Sequence, residues 1–191
     1  LGEKTLTIFE NTQPWLVLGY HCPDERHPDF LKFSLLNNLL TSGRTSRLQK
    51  RLVVDEKKAL AVGSMAGFPG RKYPGLYLIF ALPNSGVKTD DLLAAVNEEV
   101  DRLKQGLVTD EELNSARKRL KVSIMQQMGE DQGLLISLLE SEVVQGSWEA
   151  VFDAYNRVDG ITAQDIQNLV NEYLKPENRV ITRIEKKGEE K

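Results

Sequence analysis

Cysteine is almost absent: Cys22 is the only one in 191 residues. That excludes an internal disulfide framework and any multi-cysteine metal cluster. Histidine is nearly as scarce, with His21 and His27 alone. His21 and Cys22 are adjacent in a stretch that reads as a strand, so their side chains point to opposite faces and do not chelate one ion together. His27 falls in a loop, and no carboxylate at a matching spacing accompanies the two, which argues against a self-contained zinc site. Cys22 has no C-x-x-C partner to lower its pKa and reads as a buried, inert thiol. No apolar run approaches the roughly 20 residues of a membrane span. A dominant charge sign is lacking too. The net charge is -3 with signs interspersed, which gives no reason to expect nucleic acid or an anionic membrane surface. There is no P-loop, no G-x-G-x-x-G and no G-x-S-x-G.

The hydrophobic share of 40% and charged share of 28% are ordinary for a globular domain, and this length carries one sizeable core. The chain does not start with Met, and Leu1-Gly2-Glu3-Lys4 is not a signal peptide; the sequence reads as a segment of a longer polypeptide. Residues 1–11 are expected to be a linker or leading strand from a preceding domain. Residues 12–186 are expected to form a single domain, and 187–191 a charged tail.

The first strong strand is Trp15 to Cys22, apolar on both faces. A turn-rich loop, Pro23 to Pro28, leads to a helix over 29–42 with Phe30, Phe33, Leu36, Leu39 and Leu40 at three-four spacing. Gly43 stands where a helix end turns left-handed. Thr45 or Ser46 caps a second helix over 46–56. Strands follow at Ala59–Phe68 and Gly75–Leu82, the latter strictly alternating. Thr89 is expected to cap a helix that stops at Gly106. Thr109-Asp110-Glu111-Glu112 is a capping box opening a long helix interrupted at Gly129 and Gly133. Further helices are expected at Leu134–Gln145, Trp148–Arg157 and after the cap Thr162. A strand over Asn178–Ile184 closes the chain. Strands and helices come in blocks, which predicts an α+β fold: an antiparallel or mixed sheet with helices packed mainly on one face.

Candidate chemistry is sparse. Glu98-Glu99, Glu111-Glu112 and Glu140/Glu142 read as solvated faces or capping charges. Arg117, Lys118, Arg119 and Lys121 read as intrahelical ion pairs. Arg44, Arg47, Lys50 and Arg51 surround the break at Gly43 and offer donors to a carboxylate or peptide carbonyl. Arg47 reads equally as a structural arginine. Arg47 and Arg51 are the substrate-binding candidates; no catalytic and no metal-ligating residue is assigned.

The run Gly43-Arg44-Thr45-Ser46-Arg47-Leu48, after an L-x-x-L-L helix and before R-L-V-x-D-E, resembles the insulinase/pitrilysin/mitochondrial-processing-peptidase superfamily of zinc metallopeptidases. The match is to its second, non-zinc, "inactive" domain. Gly19-Tyr20 with Pro23, Gly75-Leu76-Tyr77-Leu78, Val108-Thr109-Asp110-Glu111-Glu112-Leu113, Gly160 to Ile166 and Tyr173 to Asn178 agree in order, so the resemblance covers about residues 12–186. It implies a metallopeptidase half, LuxS/processing-peptidase-like in fold. It also implies that the family's His-x-x-Glu-His zinc motif, absent here, lies on a domain of the parent or of a partner.

The implied function is that of a non-catalytic chamber-wall and peptide-binding domain. Its implied partners are the zinc-bearing domain, a second homologous half (homodimer, heterodimer or one longer chain) and a peptide substrate. A structural or assembly domain of a catalytically dead homologue is the alternative. For a bacterial source the compartment is the envelope or periplasm, or the cytoplasm, with the envelope preferred. Family members place an Arg and a Tyr at the substrate in this kind of domain. Val62 stands at the tyrosine's position here, so that role is not carried onto Arg51.

Overall fold

Alternation along the strands decides which face becomes core. In β2 (Trp15–Cys22) Leu16, Leu18, Tyr20 and Cys22 are buried, and in β4 (Gly75–Pro83) so are Tyr77, Ile79 and Ala81. The residues between them stay half-buried or exposed, with Gly19 the exception. This is the signature of a sheet covered on one side. The computed structural model describes residues 2–187; apart from Lys187, the charged tail expected at 187–191 lies outside them. With β1 (Lys4–Glu10), β3 (Ala59–Phe68) and β5 (Arg179–Lys186), the strand order is β1-β5-β2-β4-β3. β1 runs parallel to β5; the other pairings are antiparallel. The sheet is mixed, as expected.

The helices are α1 (Asp29–Leu40), α2 (Thr89–Gln105), α3 (Asp110–Met128), α4 (Asp131–Gln145), α5 (Ala150–Arg157) and α6 (Ala163–Tyr173). The core forms where Leu35, Leu36 and Leu40 of α1, Leu92 and Val96 of α2 and Ile166 and Val170 of α6 meet the buried strand face. Phe33 is its centre: its ring lies 5.1 Å from that of Tyr77 and 5.2 Å from that of Tyr173. The Tyr173 hydroxyl donates to Asp29 at 3.1 Å, pinning α6 to the start of α1. Burial, reinforced by that carboxylate, pushes the Tyr173 hydroxyl up to about 12. The lone thiol, Cys22, is buried, and burial raises its pKa against the backbone donors of Gly67 and Gly75.

Local chemistry follows the sequence at α3 and α6. Thr109 and Glu112 form one reciprocal capping box, Thr162 and Asp165 another. It departs elsewhere. Thr89 does not cap α2: it is already helical, and its hydroxyl turns to Glu185 of β5. The expected helix over 46–56 is a π-helical turn, Gln49–Asp55, closed by the Glu56 N–H on the Arg51 carbonyl at 2.8 Å. Ser46 does not cap it either, since its hydroxyl donates back to the Gly43 carbonyl at 2.7 Å. Gly43 itself has φ +88, as the break requires, and a Cβ there would meet Arg119 Cδ at 3.2 Å. Gly133 does not interrupt a helix; it lies within α4, and Gly129 marks the end of α3.

The basic cluster on α3 is not an intrahelical ion-pair set. Arg119 Nη2 donates to the Asn38 carbonyl of α1 at 2.8 Å, and Arg117 Nη2 to the Ile161 carbonyl at 2.7 Å. Lys121 pairs with Asp159 and stands 4.7 Å from the centre of the Tyr155 ring. These cations tether α3 to its neighbours. Long-range partners of this kind leave no trace in local spacing.

Candidate functional site

The core leaves one face of the sheet without helices. Its side chains come from alternate positions: Trp15 and Val17 on β2, Leu76, Leu78, Phe80 and Leu82 on β4, Thr182 and Ile184 on β5. Register brings them side by side, Val17 opposite Phe80 and Trp15 opposite Ile184. The rings of Trp15 and Phe80 lie 6.2 Å apart. Two glycines flatten this face. A Cβ on Gly63 of β3 would come within 2.3 Å of Phe80 Cζ, and one on Gly19 within 3.3 Å of Leu78 Cδ2. The β4 side chains therefore lie down across glycines on both flanking strands, making an apolar floor. Among the described residues this floor has no helix over it.

The floor ends at β3, the edge strand, which pairs only with β4. Its outer backbone donors and acceptors are open to another extended chain. Leu60, Met65 and Phe68 are exposed along it. Val62, by contrast, is buried toward the helices. Its strand neighbour Gly63 is the residue under Phe80. The position where the resemblance places a tyrosine thus offers no hydroxyl to the open face.

The arginine candidates lie elsewhere, at the helix-covered side. Arg47 holds Glu112 through two parallel bonds of 2.9 Å each. Arg51 binds Glu56 at 2.7 Å, Glu98 at 2.5 Å and Glu99 at 3.1 Å. Glu99, read from sequence as part of a solvated pair, is buried and also accepts from Arg102 at 2.7 Å. Arg47 and Arg51 are thereby engaged by carboxylates of α3 and α2, and neither contributes to the floor. The sequence signal that could have paired them is weak, because apart from Glu56 the partners are 47 to 65 residues away.

Burial alone would raise the Glu112 pKa, but the Arg47 guanidinium and the Thr109 donors outweigh it and hold the carboxyl below its ordinary 4.5. A carboxyl depressed in the folded state stabilises fully above its unfolded value and loses that contribution as pH falls through the folded value. Urea midpoints of the wild-type chain are therefore expected to drop more steeply below about pH 4.5 than those of Glu112→Gln. Parallel pH profiles would contradict this assignment.

His21 is exposed and Cys22 buried on the opposite face, while His27 Nδ1 accepts the Asp29 N–H at 3.2 Å. Among the described residues no group of three or more His, Cys, Asp or Glu is placed to hold a metal ion. The donor set does not fit zinc.

The profile of the peptidase M16 inactive domain matches residues 1–120. The chain belongs to the peptidase M16 inactive-domain family. This M16 domain is 27% identical over 176 residues to the zinc protease PqqE of Helicobacter pylori, covering 91% of this chain and 39% of that protein. It superposes on a Helicobacter pylori protease with a TM-score of 0.87 at 22% identity, over 96% of this chain and 44% of the other. A solved inactive peptidase domain from Bordetella parapertussis matches at 25% identity and a TM-score of 0.77, over 92% of each chain. The M16 domain thus spans well under half of the curated relative's length, and a domain of this kind has been solved nearly by itself. Its family is the one that the Gly43–Leu48 signature resembles.

Proposed function

We infer that this chain is a wall of a peptidase chamber: a non-catalytic domain that holds an extended peptide while a zinc-bearing domain outside it performs hydrolysis. One observation carries the reading, the apolar floor of β4 lying across Gly19 and Gly63 beside the open edge of β3. A flat apolar surface has low demands on side-chain identity, and an open edge supplies main-chain hydrogen bonds that are independent of sequence. Together they suit a substrate recognised as an extended backbone with apolar side chains. Hydrolysis needs an activated water, and the one histidine at the floor, His21 opposite Leu76, stands without a metal-ligand set among the described residues. Zinc belongs to the companion domain in this reading, where a His-x-x-Glu-His helix would supply it.

The test uses Trp15, which borders the floor, as reporter. The chain has two tryptophans, and Trp148→Phe leaves Trp15 alone. An unstructured peptide rich in Leu and Phe is expected to shift Trp15 emission saturably, with no cleavage of the peptide by the isolated chain. Leu78→Asp is expected to weaken that binding at least about tenfold, the loss of one well-placed apolar contact. Peptide binding that Leu78→Asp leaves untouched, or zinc-dependent cleavage by the 191-residue chain itself, would sink the reading.

A further inference from the structure

α4 is inverted with respect to its own core. It turns the small hydroxyl residues Ser137 and Ser141 inward, both buried. Ser141 donates to the Ser147 carbonyl at 2.9 Å, whereas the Ser137 hydroxyl has no partner among the described residues. Beneath the helix, between α1, α3, α4 and α5, lies a cleft of ≈ 220 Å³. Outward, α4 presents Leu135, Ile136, Leu139 and Val143, of which Leu135 is 67% and Leu139 64% exposed. These positions form one stripe at helical spacing. Past the turn at Gly146 the apolar surface continues in Trp148 and Phe152, whose rings meet edge to face at 6.3 Å. A helix with serines in and leucines out is patterned for a partner on its outer side, not for the core it rests on.

Charge says what kind of partner. From Val122 to Asn156 there is no Lys, Arg or His, whereas Glu130, Asp131, Glu140, Glu142, Glu149 and Asp153 all fall there. Asp131 lies one turn before Leu135, and Glu142 one turn after Leu139, so carboxylates flank the stripe at both ends. Arg71 neutralises only Glu140 and Glu25. The surface is apolar along its middle and acidic at its border.

We propose that the α4 stripe is the surface on which a neighbouring domain of the same longer polypeptide docks, through an apolar patch rimmed by Lys and Arg. More than half the length of the curated relative lies beyond the portion matched by this chain, which makes a further domain of such a polypeptide the occupant nearest to hand. The open sheet floor is reserved for peptide in the function proposed above, on which this inference rests. The stripe then serves assembly and the floor serves substrate, on different layers of the domain.

Hydrogen exchange on the longer polypeptide and on this chain separates the cases. Amides of α4 are expected to exchange at least about tenfold more slowly in the longer polypeptide, a protection of the size that docking confers. Leu135→Ser with Leu139→Ser is expected to erase that difference. Glu142→Gln, which removes the charge but keeps an oxygen to accept the Trp148 N–H at 2.9 Å, is expected to reduce it. Amides of α1 and β2 serve as the control and stay protected in every variant, so a folding defect is recognised. Equal α4 exchange in the longer and shorter chains overturns the proposal. So does protection that vanishes on dilution, which would mean a second copy covers the stripe. Failure of the Trp15 peptide assay with α4 protection intact would instead count against the peptide-binding reading.

Discussion

Replacing Phe33 by alanine is expected to destabilise the domain by about 3–5 kcal/mol, the range for removing a fully buried aromatic ring. The ring is completely buried and sits between Tyr77 of the sheet and Tyr173 of α6. Its loss opens a cavity at the point where α1, α6 and β4 meet. The Tyr173–Asp29 bond also joins α1 to α6, so the cavity cannot close by a simple shift of one helix. Against a typical domain stability of about 5–15 kcal/mol, this is a large fraction of the total. Urea unfolding followed by far-ultraviolet circular dichroism measures it. A loss under about 1 kcal/mol would mean that the site collapses freely, contrary to the packing described.

Arg51→Ala is expected to cost about 3 kcal/mol, the low end for breaking a buried ion pair, because Arg102 remains beside Glu99. The side chain of Glu99 is only 6% exposed, so an unpaired charge there has little water to turn to. Replacing both partners, as Arg51→Met with Glu99→Leu, is expected to recover much of the loss, since neither polar group is then stranded. Peptide binding at Trp15 is expected to be unchanged in both variants. A variant with wild-type stability and weakened peptide affinity would reverse the assignment and make Arg51 a substrate group. Denaturant midpoints and Trp15 titrations on the same samples read both quantities.

The order and type of elements were legible because they depend on neighbours in sequence. The spacing Phe30, Phe33, Leu36, Leu40 specifies the buried face of α1, and Thr109 and Thr162 sit three residues before the carboxylates that complete their caps. The family signature at Gly43 was legible for the same reason: a residue with φ +88 between two helical segments is nearly bound to be glycine. What escaped is set by distant partners. Thr89 looked like a cap, but Glu185, 96 residues on, takes its hydroxyl. Glu99 looked solvated, but Arg51 draws it inward. Leu76, Leu78, Phe80 and Leu82 alternate with Tyr77, Ile79 and Ala81, and both sets are apolar. Period alone could not say which set would be the core and which the floor. The glycines under Leu78 and Phe80, on strands β2 and β3, carry that distinction only once register is known.

The sheet order has a consequence for biosynthesis. Among the described residues β5 is the last strand, yet it lies inside the sheet, between β1 and β2. During synthesis the β2–β4–β3 portion can pair as soon as it is made. The edge of β2 then stays exposed until residue 186 has been synthesised, and β1 has nothing to pair with until the same moment. The first and last strands enter the sheet together. A ribosome paused anywhere in α2 to α6 would hold an unsatisfied β2 edge in solution, the kind of edge at which chains associate wrongly. The interval between the synthesis of β4 and that of β5 is therefore when this domain most needs protection from its neighbours.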